Sequence, residues 1–195
     1  MVNLWKWEEF NMMEDEKYKF NIYVENAPIN PLERHTIKKI LNEQGIGIVF
    51  LEYRGIMNSA FDAIPIFLNP EIISLLVSSM MTSAMYDSLK TALFILISKI
   101  SSRLSRRKKQ DSGAAFRFKV RNADIFADIP SGLNDIQFKA YMDMVRDTST
   151  AIYKMQENTE TEYTNLFLVY DSEKESIDVK TVSEYAKMQR NKKGE

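Results

Sequence analysis

The sequence predicts an α+β protein with a mixed sheet: an N-terminal βαβ unit, a long apolar helical segment over about 70–104, then a β-β-α-β-β arrangement with a short C-terminal helix. Two kinds of periodicity carry this prediction. Alternation of apolar and polar residues marks the strands, and apolar residues repeated at three- and four-residue spacing mark the helices. A third observation is the hydrophobic content of 45%, which is typical of a globular protein with a packed core.

The βαβ unit comes first. Residues 18–25 alternate between apolar and polar side chains, which predicts a half-buried strand. Asn30 can cap a helix over 31–44, and Gly45 is placed to end that helix in a left-handed conformation. Residues 46–53 are apolar toward both sides, so we expect a strand at the centre of the sheet.

The segment over about 70–104 carries the strongest hydrophobic signal of the chain. It follows a weaker strand pattern over 61–68, which Pro65 interrupts. Pro70 suits the first turn of a helix, because its missing N–H would be unsatisfied there anyway. A membrane span needs roughly 20 consecutive apolar residues, whereas the most apolar stretch, 91–98, is bounded by lysines on both sides. Buried helices, one or two in succession, are therefore expected.

Helix 82–104 is the predicted interaction surface. Its apolar residues cover nearly the whole circumference, and such a helix is buried on most sides. That burial can be achieved within one chain, against a second copy or against another subunit, and all three alternatives are open. The residues predicted to form this contact are Leu89, Leu93, Leu96, Ile97 and Ile100.

A basic patch follows this helix directly. Positive charge at a helix C-terminus is favoured by the helix dipole, so the patch fits a helix end that runs into an exposed loop. The alternatives are contact with nucleic acid and contact with an anionic membrane surface. The net charge of −1 and the lack of aromatic residues in the run disfavour contact with nucleic acid. We expect one domain over 1–195, with 105–115 as its possible boundary. The patch consists of Arg103, Arg106, Arg107, Lys108 and Lys109.

The second half of the chain again mixes strands and helices, without a residue-level repeat. Alternation and turn residues predict a hairpin around the polar turn 171–174. The elements predicted after the loop are, in order, strands over 116–121 and 124–129, a helix over 134–156, hairpin strands over 165–170 and 177–181, and a short helix ending near 190.

Composition excludes several kinds of chemistry. The chain has no cysteine, which rules out disulfides, thiol nucleophiles and thiolate metal sites and fits a reducing, cytoplasmic location. Charges interrupt the N-terminus, so it does not resemble a signal peptide. The only histidine, His35, projects away from the apolar face of its helix. We therefore predict no metal site, no cofactor and no small-molecule ligand.

One weak catalytic candidate lies in the predicted hairpin. Asp171, Asp178 and Lys180 are similar in order to the acid, acid-x-Lys pattern of metal-dependent nucleases, in which carboxylates hold Mg²⁺ and the lysine positions the attacking water. Hairpin turns are also rich in these residue types for purely structural reasons. The acids Asp124 and Asp128 would line the same cleft if their strand neighbours the hairpin.

These observations predict a non-enzymatic protein–protein interaction or assembly module, self-associating or partner-binding through helix 82–104. Two alternatives stay open. A peripheral membrane or effector protein would use the same helix and its basic flank, provided that the apolar face is exposed. A metal-dependent nuclease would use the hairpin carboxylates.

Overall fold

A computed structural model describes residues 18–52, 63–106, 113–157 and 165–193. The described strands form one mixed seven-stranded sheet in the order β2-β1-β3-β4-β5-β6-β7. The strands are β1 (Phe20–Glu25), β2 (Ile46–Leu51), β3 (Ile64–Leu68), β4 (Ala114–Val120), β5 (Ala123–Ile129), β6 (Asn165–Asp171) and β7 (Ser176–Thr181). The helices are α1 (Pro31–Asn42), α2 (Pro70–Val77), α3 (Ser83–Arg106), α4 (Asp135–Glu157) and α5 (Val182–Lys193).

The sheet separates two unequal layers. Helices α1 to α4 cover one face, here called the front face, and the main core lies between them and the sheet. Helix α5 lies on the opposite, back face, where it contacts β6 and β7. The α+β class and the predicted order of strands and helices are thus confirmed.

The N-terminal βαβ unit forms as predicted, with β1 and β2 parallel. The side chain of Asn30 accepts a hydrogen bond from the backbone of Glu33, whose own side chain accepts from the Asn30 backbone, so the two complete a capping box. Gly45 adopts the expected left-handed conformation, at φ +73°.

The prediction that the second strand is central was wrong. Among the described strands, β2 is outermost and hydrogen-bonds only to β1. Its apolar side chains indicated that both of its faces are covered, and most of its residues are buried. Coverage of a strand's faces, however, does not determine how many strands it pairs with at its edges.

The apolar segment forms two helices in succession. Asn69 caps α2, and Ser79, at φ 58°, lies in the short connection before α3. No described helix is both long enough and apolar enough to cross a membrane. Helix α3 continues to Arg106, and residues 107–112 of the predicted loop 105–115 lie outside the described part of the chain.

The second half pairs into two hairpins joined by α4. Strands β4 and β5 are antiparallel, β5 and β6 are parallel, and β6 and β7 are antiparallel. The strand that Pro65 interrupts also exists, because β3 pairs in parallel with β4 and places Pro65 beside Ala115. The hairpin of β6 and β7 therefore directly neighbours the strand that carries Asp124 and Asp128.

Candidate functional site

The five residues predicted to form the interaction surface lie inside the main core. Their exposed fractions are at most 7%, and the sheet, α1 and α4 of the same chain cover the helix. A contact made by these side chains with another molecule would require α3 to leave the core. The residues are Leu89, Leu93, Leu96, Ile97 and Ile100.

Arg103, the residue of the basic patch whose side chain is described, forms an ion pair with Glu33 of the same chain. Glu33 of α1 lies 3.1 Å from Arg103 and 3.4 Å from Lys99, both on α3. Hydrogen bonding to the Asn30 backbone, aided by these two cations, lowers the pKa of Glu33. Arg103 thus joins two helices. The other members of the patch have no described side chains: Arg106, Arg107, Lys108 and Lys109.

The hairpin candidates take part in two separate ion pairs. The carboxylate of Asp171 pairs with the Lys174 ammonium at 2.8 Å and also accepts hydrogen bonds from the backbone of the turn, and these contacts lower the pKa of Asp171. Asp178 pairs instead with Lys180, at 3.4 Å. Among the residues that the structure describes, no three histidine, aspartate or glutamate side chains lie close enough to hold a metal ion.

A cluster on the back face was not predicted. The rings of Phe126 and Phe167 stack with centroids 4.9 Å apart, and Tyr185 of α5 stacks on Phe167 at 4.2 Å. The Tyr185 hydroxyl donates a 2.6 Å hydrogen bond to Asp128. Its pKa is raised, first by burial and then by that carboxylate. Because all three rings are at most 8% exposed, they form a small core rather than an open stacking platform.

Arg117 lies beside this cluster at the centre of the back face. Its guanidinium carbon lies 5.3 Å from the ring centroid of Phe126 and 5.9 Å from that of Phe67, which are cation–π distances. Burial lowers the pKa of Arg117, while Glu25 and Asp128 oppose that shift. Burial likewise raises the pKa of Glu25. Alternation with Phe116 and Phe118 places Arg117 on the less apolar side of its strand, so its partial burial was not foreseen.

A cluster of polar side chains also joins α3 to α4 on the front face. The ring of Tyr86 lies 4.3 Å from the Lys90 ammonium and 5.1 Å from the Arg146 guanidinium. Lys90 pairs with Asp87 at 3.3 Å and with Asp143 at 3.5 Å. The cavity beside Tyr86 measures only about 10 Å³, about the space of one water molecule. This cluster of side chains fits a structural link between the two helices rather than a substrate site.

Among the described strands, β2 forms one edge of the sheet. No residue between Ile46 and Leu51 is charged or proline. At the C-terminal end of the strand, the Arg34 guanidinium lies 5.1 Å from the Phe50 ring and pairs with Glu52 at 2.7 Å. The charges near this edge therefore flank the strand and leave its length uncharged.

Comparisons with known proteins identify no relative. No protein-family model matches the chain, and no curated protein or solved structure is significantly similar to it.

Proposed function

We propose that this chain is a non-enzymatic assembly protein that self-associates by pairing the β2 strands of two copies. The supporting observation is the uncharged edge of the sheet. The backbone groups along a sheet edge are a template for strand addition, and natural proteins usually block such edges with charges, proline or bulges. Strand β2 has neither a charge nor a proline over its whole length.

The opposite edge of the sheet provides the contrast. Strand β7 carries Asp178 and Lys180, and α5 follows it immediately in the chain. Charged side chains on an edge strand disfavour the approach of a second strand, because pairing would partly desolvate them. The difference between β2 and β7 favours association at one edge only, which gives a closed dimer rather than an open fibre.

Antiparallel registers centred near the middle of β2 satisfy twofold symmetry while keeping each side chain on its own face of the sheet. In one, Val49 lies opposite Val49 of the second copy, and in another Ile48 lies opposite itself. Glu52 then faces Ile46 or Gln44, neither of which is charged. Neither register places two like charges opposite each other, so the strand is complementary to itself.

The proposed contact lies at the sheet edge and not on helix 82–104. The apolar face of α3 is already covered within the chain, so it offers no docking surface in this structure. The same burial removes the observation that would favour a membrane-surface role, since that role needs the apolar face exposed.

Light scattering at micromolar concentration tests the proposal. The wild-type chain should have the mass of a dimer. Val49→Lys places a charge on the half-buried edge strand and should give a monomer, because lysine on an edge strand opposes pairing. Val179→Lys on β7, at a residue that is 44% exposed, is the matched control and should remain dimeric. Circular dichroism establishes that each variant is folded, and a folded wild-type monomer contradicts the proposal.

A further inference from the structure

We infer that the β2 strands of two copies pair in the register centred on Val49, so that Val49 of one copy lies opposite Val49 of the other. This inference rests on the proposed function, because it specifies how the second copy binds at the same edge. The features that favour this register are the direction of the backbone groups of β2, the side chains that β2 leaves partly open, and the side chains of α1 that lie beside the edge.

The backbone of β2 presents alternate residues to the edge of the sheet. The Leu51 carbonyl accepts a 2.8 Å hydrogen bond from the N–H of Asn26, which directly follows β1, so Leu51 directs its backbone groups toward β1. Successive residues of a strand direct these groups to opposite sides. Ile48 and Phe50 therefore direct theirs away from β1. In the Val49-centred register, Ile48 of each copy lies opposite Phe50 of the other, and each such pair exchanges both backbone hydrogen bonds.

The side chains that β2 leaves partly open lie at the centre of this register. Val49 and Phe50 are half-buried, whereas the other residues of β2 are buried. The two Val49 residues would form a non-hydrogen-bonded pair, which is the kind that brings opposite side chains closest together. Phe50 would lie opposite Ile48, and aromatic and β-branched residues pair favourably across strands. A register centred on Ile48 would instead place Val49 opposite Gly47, which has no side chain to contact.

The side chain of Asn42 in α1 opposes the register centred on Ile48. With its nitrogen directed at the strand, the Asn42 carboxamide donates a hydrogen bond of 3.1 Å to the Ile46 carbonyl. Pairing centred on Ile48 would place Phe50 of the second copy opposite Ile46, where its N–H would compete with Asn42 for the same carbonyl. The Val49-centred register places Ile46 opposite the residue that follows the second β2 strand, so regular pairing ends before the Asn42 contact.

Arg34 opposes a shift of the register in the other direction. Its guanidinium lies 5.1 Å from the ring centroid of Phe50 and pairs with Glu52. A register centred on Phe50 would bring Arg34 of each copy toward Arg34 of the other, and like charges brought together at an interface oppose association. The Val49-centred register keeps both arginines further from the twofold axis.

Isotope-filtered NMR tests the register on the wild-type chain. Labelled and unlabelled copies are mixed, so that only contacts between copies are observed. We expect a contact between the Hα atoms of Val49 in the two copies, because opposite residues of a non-hydrogen-bonded pair lie closest together. The register centred on Ile48 would give an Hα contact between Val49 and Gly47, and the register centred on Phe50 would give one between Val49 and Leu51.

Mixed disulfide formation provides a second measurement. Ile48→Cys and Phe50→Cys, carried by chains with tags of different mass, should form more covalent dimer when mixed than either forms alone. Val179→Cys on β7, mixed with Phe50→Cys, is the matched control and should give no mixed dimer. The reason is that β7 lies at the other edge of the described sheet.

The outcomes separate this inference from the proposed function. A dimer that shows the contact from Val49 to Gly47 or to Leu51, without the contact between the two Val49 residues, overturns the register and leaves assembly through β2 standing. Ile48→Cys that forms more dimer alone than in the mixture with Phe50→Cys also overturns the register. A folded wild-type chain with the mass of a monomer at micromolar concentration overturns both.

Discussion

The hydroxyl of Tyr185 donates a hydrogen bond of 2.6 Å to the carboxylate of Asp128, 57 residues earlier in the chain. This bond connects the last described helix to the middle of the sheet. Tyr185 is the most deeply buried residue of α5, since its other described side chains are exposed or half-buried. The hydrogen bond and the ring stack on Phe167 together hold α5 against the back face.

Removal of that hydroxyl should loosen α5. A hydrogen bond to a charged group contributes about 1.5–3 kcal/mol, so Tyr185→Phe should lower the free energy of unfolding by about that amount. A double-mutant cycle with Asp128→Ala separates the bond from the ring contacts, and a coupling energy near zero would contradict this account. Tyr170→Phe, on the front face, is the control and should change stability by less than about 0.5 kcal/mol.

Glu33 should make stability depend on pH in the acid range. Its pKa is lowered from 4.5 in the folded chain, so its contribution is present above pH 4.5 and is lost as the pH falls through the folded value. Glu33→Gln should therefore destabilise the protein at pH 7 and have a smaller effect below pH 4.5. Denaturant unfolding at both pH values measures this. Glu43→Gln removes a charge at the other end of α1, away from Lys99 and Arg103, and should not reproduce the pattern.

Leu93 distinguishes a core helix from an interface helix. It is fully buried within one chain, so Leu93→Ala should cost about 2–5 kcal/mol of folding stability. The mass measured at high protein concentration should not change, because the side chain faces the core rather than a second copy. If Leu93→Ala left the stability unchanged but altered the measured mass, that result would favour the prediction that helix 82–104 forms an interface. Ser98→Ala, on the exposed side of α3, should be nearly neutral.

Gly47 allows the close approach of β2 to β1. A Cβ at this position would meet the Oδ1 of Asn21, a buried residue whose side-chain amide donates a 2.7 Å hydrogen bond to the Tyr18 carbonyl. Gly47→Ala should therefore cost about 1–3 kcal/mol, as other overpacking changes do. Gly113→Ala, where the nearest atom would be 3.8 Å away, should cost much less. Thermal unfolding of both variants makes the comparison.

Local signals were sufficient to predict most of the fold. The capping residue Asn30, the first-turn residue Pro70, the positive φ of Gly45 and the alternation in β4 act within a few residues, and each element formed near its predicted position. Strand order does not depend on such signals. The apolar β2 looked central because both its faces are covered, but its place at the edge depends on which strands pair across the whole sheet.

The contacts between distant elements were harder to predict. Charge alternation places Arg117 on the less apolar side of β4, and nothing within that strand shows that Phe67 and Phe126 lie beside it. The contact between Tyr185 and Asp128 likewise depends on α5 crossing to the back face. The apolar face of α3 was recognised from its spacing, but sequence alone does not say whether that face meets its own chain or a second one.

Disulfide trapping tests pairing through β2 most directly, because the chain has no cysteine. At a twofold axis between antiparallel strands, the central residue faces itself across about 4.5–5.5 Å between Cα atoms, within the range that a disulfide spans. Val49→Cys and Ile48→Cys test the two proposed registers, centred on these residues, and we predict that at least one forms a covalent dimer under mild oxidation, reversed by reductant. Val179→Cys on β7 should remain a monomer on the same non-reducing gel. Cross-linking of neither β2 variant beyond the level of the β7 control would contradict assembly through this edge.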